Sequence, residues 1–270
     1  MVYNAEQTRD FAQQQFAFLL VEQTDHCLTL TLNRPAQKNA LHPVLVNELA
    51  FAFSYAHHNP DIWVVVLAAT GNVFCAGADL KAFMQSDDIP SSIPVPAEQV
   101  IIGDLFKQLH KPCIANIHAP VYAGGLLLVG GCTHVIAAPN VTFALPEVKR
   151  GIFPFQVMES LLAIMPARKV LDWCMRAQTL TAADALQYGL VTQIVDDTQQ
   201  AVADLVAEIC QYAPLAISKG LKAYSEVQQL PDQERHRYLY AMLMETLSTE
   251  DAMEGIMAFQ QKRSPVWKGK

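Results

Sequence analysis

The apolar runs of this chain predict a sheet built mainly from buried strands. FAFLLVE at 16–22 and CLTLTLN at 27–33 have strand length, and a short polar turn separates them. IWVVVLAAT at 62–70 is continuously apolar, which is typical of a strand covered on both faces. Further strands are predicted in the stretches PCIANI, HVIAA, VTFAL and LVTQIVD.

Helical spacing appears between these strands and then dominates the second half of the chain. Apolar residues recur at helical spacing after Pro43, a residue that favours the first position of a helix. A helix is also predicted over about residues 97–109, and the pattern is mostly helical from residue 158 onward. In TAADALQYGL, Thr181 is the predicted N-cap and Gly189 the predicted stop.

Strand–strand–helix units followed by a helical end predict an α/β fold. We expect a core domain over residues 1–200 that carries the functional site, and a helical region over residues 201–270. In that region Leu239, Leu243 and Leu247 lie on one helical stripe, which is typical of a contact between helices or subunits.

Two loops interrupt the regular pattern. GNVFCAGADLKAF is predicted to be a loop that enters a helix at Ala78 and Asp79. SDDIPSSIPVP at 86–96 is rich in Pro, Ser and Asp and predicts a mobile surface segment. The wider stretch 84–100 is expected to form walls of a binding pocket.

Composition and charge narrow the function. The chain has 19 Lys and Arg against 26 Asp and Glu, a formal net charge of −7, which disfavours nucleic acid and anionic membranes as partners. No apolar run is long enough to span a bilayer, and the polar N-terminus resembles neither a signal nor a transit peptide. The six cysteines are scattered singly without metal-ligand spacing, so we expect reduced thiols, no metal and a cytoplasmic location.

Two glycine-containing turns are candidates for binding an oxygen atom through the backbone. Gly124 lies where an extended segment meets an apolar helical run, and a glycine there allows close approach to the main chain. FCAGADLKAF has a similar pattern and offers the amide of Ala78. Two such amides directed at one oxygen would form an oxyanion hole; close helix–strand packing is the alternative explanation for the glycines.

Six segments in order resemble the crotonase superfamily, the enoyl-CoA hydratases and isomerases, over nearly the whole chain. They are LNRPAQKNAL, FCAGADLKAF, KPCIANIHAPVYAGG, FALPEVKRGIFP and the closing pair LTAADALQYGLVTQIV and EGIMAFQQKRSPVW. The resemblance implies a spiral of ββα units with a helical C-terminal region that forms trimers, possibly paired into hexamers. It also implies an acyl-CoA thioester substrate, with coenzyme A present only as part of that substrate.

The resemblance further implies a set of site residues. The amides of Ala78 and Gly124 would hold the thioester oxygen, and Glu147 would act as the acid and base. Coenzyme A would run along a segment containing Ala76 and the four residues from Ala78 to Lys81, namely Ala78, Asp79, Leu80 and Lys81. Lys262 would meet the phosphate of coenzyme A bound to a neighbouring subunit, although it could equally be an ordinary solvated charge.

One position departs from the pattern of the hydratases in this family. Those enzymes generally use two glutamates, and the first would fall three residues after Gly124, where this chain has Leu127. The apolar neighbours of Glu147 should raise its pKa, which suits proton transfer near neutral pH. A single carboxylate beside an oxyanion hole favours Δ3,Δ2-enoyl-CoA isomerisation.

Several alternatives stay open from the sequence. They are a hydratase that works with one glutamate, a lyase acting on another acyl-CoA, and a catalytically silent acyl-CoA-binding protein. Outside the motifs, His118 and Tyr122 could reach the site or serve only the structure, and His134 is expected to be buried. His42, His57 and His58 are expected on a helix surface.

Overall fold

The computed structural model describes residues 1–82 and 89–270, and its strands form two sheets. The larger sheet has six strands in the order β1-β2-β3-β4-β6-β9, and the smaller has three in the order β5-β7-β8. The strands are β1 (Leu19–Thr24), β2 (Cys27–Leu32), β3 (Val64–Ala69), β4 (Cys113–Ile117), β5 (Val121–Tyr122), β6 (His134–Ala137), β7 (Thr142–Ala144), β8 (Thr179–Thr181) and β9 (Gln193–Ile194).

The larger sheet follows the predicted apolar runs. β1 and β2 form an antiparallel hairpin that closes with Thr24 opposite Cys27, and the remaining neighbours in this sheet are parallel. β3 is fully buried over its first four residues, as its continuous apolar sequence predicts. In β2 only alternate residues are fully buried, because the intervening threonines pack less deeply.

Helices cover the larger sheet and extend beyond it. They are α1 (Pro43–His58), α2 (Ile102–Leu109), α3 (Gly125–Gly131), α4 (Phe155–Leu162), α5 (Ala167–Arg176), α6 (Ala182–Gln187), α7 (Thr198–Ile209), α8 (Pro214–Val227), α9 (Asp232–Leu247) and α10 (Glu250–Gln261). The mixed α/β class predicted from the sequence, with a helical C-terminal region, is confirmed.

Helix boundaries agree with the capping signals where those signals are strong. Pro43 is the first residue of α1, and Thr181 caps α6 through a capping box with Asp184. The helix expected from residue 97 begins only at Ile102, because Ile101 is still extended. The element expected near residue 193 is a strand of two residues.

His42 was expected on the surface of a helix, and that prediction is wrong. The side chain is buried, and Nδ1 accepts a hydrogen bond from the Val44 amide at 3.1 Å, so His42 is the N-cap of α1. His57 is half-buried with Nδ1 3.2 Å from Leu109 O, and only His58 is exposed.

The loop segment expected to lie on the surface is mostly exposed where it is described, but two of its residues anchor it to the core. Residues 86–88 lie outside the described residues, and residues 89–96 have no regular secondary structure. Ile93 is 5% exposed, and Ser91 Oγ donates to the carboxylate of Glu48 at 2.9 Å. The carboxylate of Glu48 also accepts from the Ala17 and Phe18 amides, at 2.5 and 3.0 Å.

The C-terminal region is helical but not separate from the sheet. α7 crosses the expected boundary at residue 200 and packs against β4 and β6, while α8, α9 and α10 pack on one another. The tail after α10 is held by Asp251, whose buried carboxylate accepts from the Lys268 and Gly269 amides. The limits of the two regions remain a prediction.

The C-terminal helices leave a broad apolar surface exposed. Leu239, Leu243 and Leu247, the stripe noted in the sequence, are between 42% and 52% exposed. Residues of α10 extend the exposed set, namely Met253, Ile256, Met257 and Phe259. Among the described helices none is long and apolar enough to cross a membrane alone; only α7 and α8, bent by 102°, reach that length together.

Candidate active site

Three short parallel segments end at one edge of the smaller sheet and carry the predicted site residues. Cys75 forms a parallel bridge with Val121, and Val121 pairs in parallel with Phe143. Ala78 and Gly124 each lie three residues beyond their paired position, and Glu147 lies four residues beyond Phe143. Because the carboxyl ends of parallel strands meet at the same edge, this register brings the three segments together.

The backbone around Ala78 is held by a second parallel bridge, to Leu41. The Leu41 amide donates to Gly77 O at 2.8 Å, and the Asp79 amide donates to Leu41 O at 3.1 Å. The helix predicted to begin at Ala78 and Asp79 is absent from the described residues of this stretch, because the backbone at Ala78 is extended alongside Leu41; a turn follows over residues 80–82. Whatever part of the expected helix falls on residues 83–88 lies outside the described residues.

Gly124 precedes α3, as predicted, and lies against Ala78. A Cβ built on Gly124 would lie 3.5 Å from the Ala78 nitrogen, so the two main chains are in direct contact. Ala123 has a left-handed backbone, φ 51°, and its amide donates to Ala144 O at 2.9 Å. This turn sends the chain from β5 into α3 and fixes the place of Gly124.

The next glycine has a packing role. A Cβ on Gly125 would lie 2.8 Å from Cys75 Cβ and 2.9 Å from Cys75 O, closer than real Cβ atoms approach. Gly125 is therefore required for α3 to pack on the Cys75 segment, whereas a Cβ on Gly124 would meet its neighbours only at ordinary contact distances of 3.5 to 3.6 Å.

The two amides are available for an external acceptor. Within residues 1–82 and 89–270, neither the Ala78 nor the Gly124 amide donates a hydrogen bond to another protein group. Ala78 is exposed and Gly124 is half-buried, so an oxygen atom has access from the solvent side. Two such amides on closely packed segments are candidates for binding one carbonyl oxygen and stabilising negative charge on it.

Glu147 supplies a carboxylate whose environment favours the neutral form. Its Oε2 is buried and has no hydrogen-bond partner among the described residues. Burial raises the pKa of Glu147 above its ordinary value, although the nearby Arg150 opposes that shift. A partly desolvated carboxylate with one oxygen unpaired among the described residues is a candidate for accepting and returning a proton.

Leu127 lies in the core rather than facing solvent. It is 7% exposed and packs with the other apolar residues of α3. The residue at the position where the two-glutamate hydratases would carry their first glutamate is therefore a buried apolar residue.

The remaining residues predicted to bind coenzyme A differ in their surroundings. The Ala76 amide donates to Lys38 O at 3.0 Å, and Leu80 and Lys81 are exposed. The carboxylate of Asp79 is engaged by Arg34 Nη1 at 2.6 Å and by the Ala82 amide at 3.2 Å. That hydrogen bond with Arg34 lowers the pKa of Asp79.

Lys262 lies at the C-terminal end of α10. It is exposed, has a left-handed backbone with φ 54°, and belongs to a helix that packs on α8 and α9. Within the described chain, Lys262 makes no contact with the Ala78 or Gly124 amide.

The other polar candidates have structural partners. His118 Nε2 donates to Gly71 O at 2.8 Å, and His134 Nδ1 lies 3.0 Å from Thr133 Oγ1. His134 was expected to be buried and is half-buried at the start of β6. Tyr122 is half-buried in β5, one strand residue before the turn at Ala123. In the described part of the chain no group of three or more His, Cys, Asp or Glu residues could hold a metal ion.

Sequence reasoning missed the residues that surround the Ala78 segment. Asn39 and Arg34 belong to LNRPAQKNAL, a motif noted only for its resemblance; Arg34 contacts Asp79, the residue after Ala78, and Asn39 contacts the Arg34 amide. Cys174 of α5 was also missed; it is buried near Glu147, which together with burial raises the pKa of Cys174 to about 11. The motif itself was the available signal for Asn39 and Arg34.

The fold places two amides that have no acceptor among the described residues on adjoining segments, and a partly buried carboxylate on the third segment of the same sheet edge, a candidate site for polarising a carbonyl group and moving a proton. The family model described as enoyl-CoA hydratase/isomerase matches residues 22–270. The chain therefore belongs to the enoyl-CoA hydratase/isomerase family, the crotonase superfamily, and is an enzyme of that family acting on acyl-CoA.

Curated relatives and solved structures agree with this membership. The chain is 32% identical over 253 residues to a carnitinyl-CoA dehydratase of Citrobacter koseri, covering 90% of this chain and 95% of that protein. A crystal structure of enoyl-CoA hydratase from Mycobacterium marinum superposes with a TM-score of 0.85 at 28% identity, covering 94% of this chain and 100% of that one. A probable enoyl-CoA hydratase/isomerase from Mycobacterium abscessus gives 0.81 at 31% identity, covering 95% and 100%.

Proposed function

We propose that this enzyme is a Δ3,Δ2-enoyl-CoA isomerase that uses Glu147 as its single acid and base. The carboxylate removes a proton from C2 of a 3-enoyl-CoA, and the electrons of that C–H bond form an enolate on the thioester oxygen. The protonated Glu147 then delivers the proton to C4 while the double bond moves to C2. The reaction needs no water and no redox cofactor, and coenzyme A enters as part of the substrate.

This proposal rests on a contrast between two positions: Glu147 is a carboxylate, whereas Leu127 is apolar. The carboxylate has one buried oxygen without a partner among the described residues, whereas the position of the expected second glutamate is an apolar core residue. Activation of water by two carboxylates would need an acidic residue in place of Leu127, whereas shuttling a proton from C2 to C4 needs only one carboxylate.

The amides of Ala78 and Gly124 complete the proposed mechanism. They would donate to the thioester oxygen and strengthen those bonds as the enolate charge develops. A donor of this kind is worth about 3–4 kcal/mol in the transition state. The path of coenzyme A along Ala76 and residues 78–81 is part of the same proposal.

Glu147→Gln tests the role of the carboxylate directly. The amide keeps the size of the side chain but cannot take a proton from C2, so turnover of 3-enoyl-CoA to the conjugated product should fall at least about 1,000-fold. The measurement is the rise in absorbance of the conjugated thioester. Full turnover by the variant on every acyl-CoA that the wild-type enzyme accepts would overturn the assignment.

The second candidate is a hydratase or dehydratase that works with Glu147 alone. The names of the relatives, carnitinyl-CoA dehydratase and enoyl-CoA hydratase, favour this alternative. Crotonyl-CoA separates the two, because rapid loss of its conjugated absorbance reports hydration. Leu127→Glu would restore the second carboxylate and should raise that rate.

A catalytically silent acyl-CoA-binding protein is the remaining alternative. It would bind acyl-CoA in calorimetry and show no turnover of 3-enoyl or 2-enoyl thioesters of any chain length. The unpaired buried oxygen of Glu147 argues against it, because a binder has no need of a carboxylate with a raised pKa.

We also propose that the chain assembles as a homotrimer or a dimer of trimers. The exposed apolar stripe of Leu239, Leu243 and Leu247 supports assembly through the C-terminal helices. In such an assembly Lys262 would approach coenzyme A bound to a neighbour. Light scattering coupled to size exclusion tests the mass, and a monomeric enzyme with full activity would contradict this arrangement.

A further inference from the structure

The residues from Arg34 to Leu41 form a scaffold against which the Ala78 segment is built. The Ala76 amide donates to Lys38 O, the Leu41 amide donates to Gly77 O, and the Asp79 amide donates to Leu41 O, at 3.0, 2.8 and 3.1 Å. Ala78 lies in the middle of these three hydrogen bonds, and its own amide takes part in none of them.

The bond from Leu41 sets the direction of the Ala78 amide. Gly77 C=O and Ala78 N–H belong to the same trans peptide unit, so they point in opposite directions. Because Gly77 O is directed at Leu41, the Ala78 N–H must face away from Leu41. The direction of the Ala78 N–H therefore depends on the position of Leu41. The Gly124 backbone lies close to the Ala78 nitrogen.

Asn39 holds this scaffold from inside. The side chain is fully buried, and its Oδ1 accepts from the Arg34 amide at 2.8 Å. Its Nδ2 donates to Thr70 O and Val73 O at 2.8 and 2.9 Å, which ties the scaffold to the loop after β3. Asn39 has a left-handed backbone, φ 51°, a conformation that asparagine adopts more readily than most residues.

Arg34 holds the same scaffold from the outer side. Its Nη1 donates to Ala40 O at 3.4 Å and to Asp79 Oδ2 at 2.6 Å, and its guanidinium lies 5.0 Å from the centre of the Phe18 ring. The two side chains of the ion pair are only 11% and 16% exposed. One charged group therefore joins the residue before Leu41 to the residue after Ala78.

We propose that Arg34 and Asn39 are positioning residues that aim the Ala78 amide at the thioester oxygen; this inference rests on the proposed function. Neither side chain needs to touch the substrate. Loss of Arg34 would let residues 40–41 and Asp79 shift relative to each other, so the amide would meet the oxygen at a poorer angle in the transition state.

Arg34→Met, with Arg34→Lys as the conservative variant, tests the proposal. We expect kcat to fall about 10- to 100-fold in Arg34→Met with KM changed less than about threefold, since a misaimed donor loses part of an oxyanion contribution. Arg34→Lys should recover part of the loss. Arg176→Met, which breaks an exposed arginine–aspartate pair on α5, is the matched control and should keep wild-type kcat.

The carbonyl stretch of a bound acyl-CoA carrying ¹³C at the thioester carbon gives a readout independent of turnover. Polarisation by the two amides should lower that frequency in the wild-type enzyme, and Arg34→Met should show a smaller shift. A less stable Arg34→Met with unchanged frequency and kcat would overturn the proposal. If Arg34→Met does not fold, Asp79→Asn removes the negative charge of the same ion pair; because Asp79 is also a proposed coenzyme A contact, only the carbonyl frequency is compared for that variant.

The same spectrum separates this inference from the proposed function. A wild-type enzyme that binds acyl-CoA without any shift in the carbonyl frequency would contradict the oxyanion hole itself. A wild-type shift that persists unchanged in Arg34→Met and in Asn39→Ala would contradict only the positioning role.

Discussion

Gly77→Ala is the sharpest perturbation of the contact between the two amides. Gly77 has a left-handed backbone, φ +87°, and a Cβ there would lie 2.6 Å from Ala123 Cβ and 2.9 Å from the Gly124 nitrogen. The first distance is about 0.8 Å short of the 3.4 Å at which ordinary contact begins. The new methyl group therefore cannot fit unless the Ala78 and Gly124 segments separate.

The magnitude has a conformational and a steric part. Placing an alanine in the left-handed region costs about 1–2 kcal/mol, and overpacking a tight site costs about 1–3 kcal/mol more. A separation approaching 1 Å at the site corresponds to a loss of about 100-fold in kcat. We therefore expect Gly77→Ala to lose about 2–5 kcal/mol of unfolding free energy and about two orders of magnitude in turnover.

The assay pairs urea unfolding with turnover of a 3-enoyl-CoA. Gly269→Ala is the control, because Gly269 also has a positive φ, +69°, but its nearest neighbours lie at an ordinary 3.8 Å. That variant should carry the conformational cost alone, about 1–2 kcal/mol, with unchanged kcat. If Gly77→Ala loses no more stability than Gly269→Ala and keeps its kcat, the close contact between the two segments is not what positions the amides.

Two further predictions concern pH and the C-terminal tail. Because burial raises the pKa of Glu147, kcat/KM should fall with decreasing pH at a value above 4.5, the ordinary pKa of glutamate, and Glu147→Gln should lack this limb. A raised pKa also means that Glu147 contributes stability below its ordinary pKa and loses that contribution as the pH rises through the pKa of the folded state. Glu147→Gln should therefore unfold at a higher urea concentration than the wild-type protein at pH 7. Asp251→Ala should leave the Lys268 and Gly269 amides without their acceptor, cost about 1–3 kcal/mol and speed proteolysis of the tail, which mass spectrometry would detect; a tail as resistant as in the wild-type protein would show that Asp251 does not hold it.

The central strands of the larger sheet were predictable because they are continuous or alternating apolar runs. β2, β3 and β4 lie within the expected stretches, and α1 begins at the expected proline. In the smaller sheet β7 lies within the predicted stretch VTFAL, but the other two strands were not predictable. β5 has two residues and β8 has three, too few for any periodicity to show, and they form only because tertiary contacts align them.

The site was predictable through motifs and less so through local physics. The motifs picked out Ala78, Gly124 and Glu147 as candidates, and their catalytic roles stay a prediction. The expected helix at Ala78 failed because pairing with Leu41, distant in sequence, keeps the backbone extended. The partner of Asp79 could not be read either, since Arg34 lies 45 residues away.

The unpaired donors at this site belong to the main chain, and this makes them invisible to the usual mutational survey. Ala78 is already alanine, and an alanine at Gly124 would make only ordinary contacts and would keep its N–H. An alanine scan would instead show loss of activity at the proposed positioning residues, such as Asn39 and Arg34. Those side chains would then be mistaken for the groups that carry out the reaction. Only a change in the backbone itself, such as replacing one amide bond with an ester, would test whether these amides bind the negative charge of the proposed enolate.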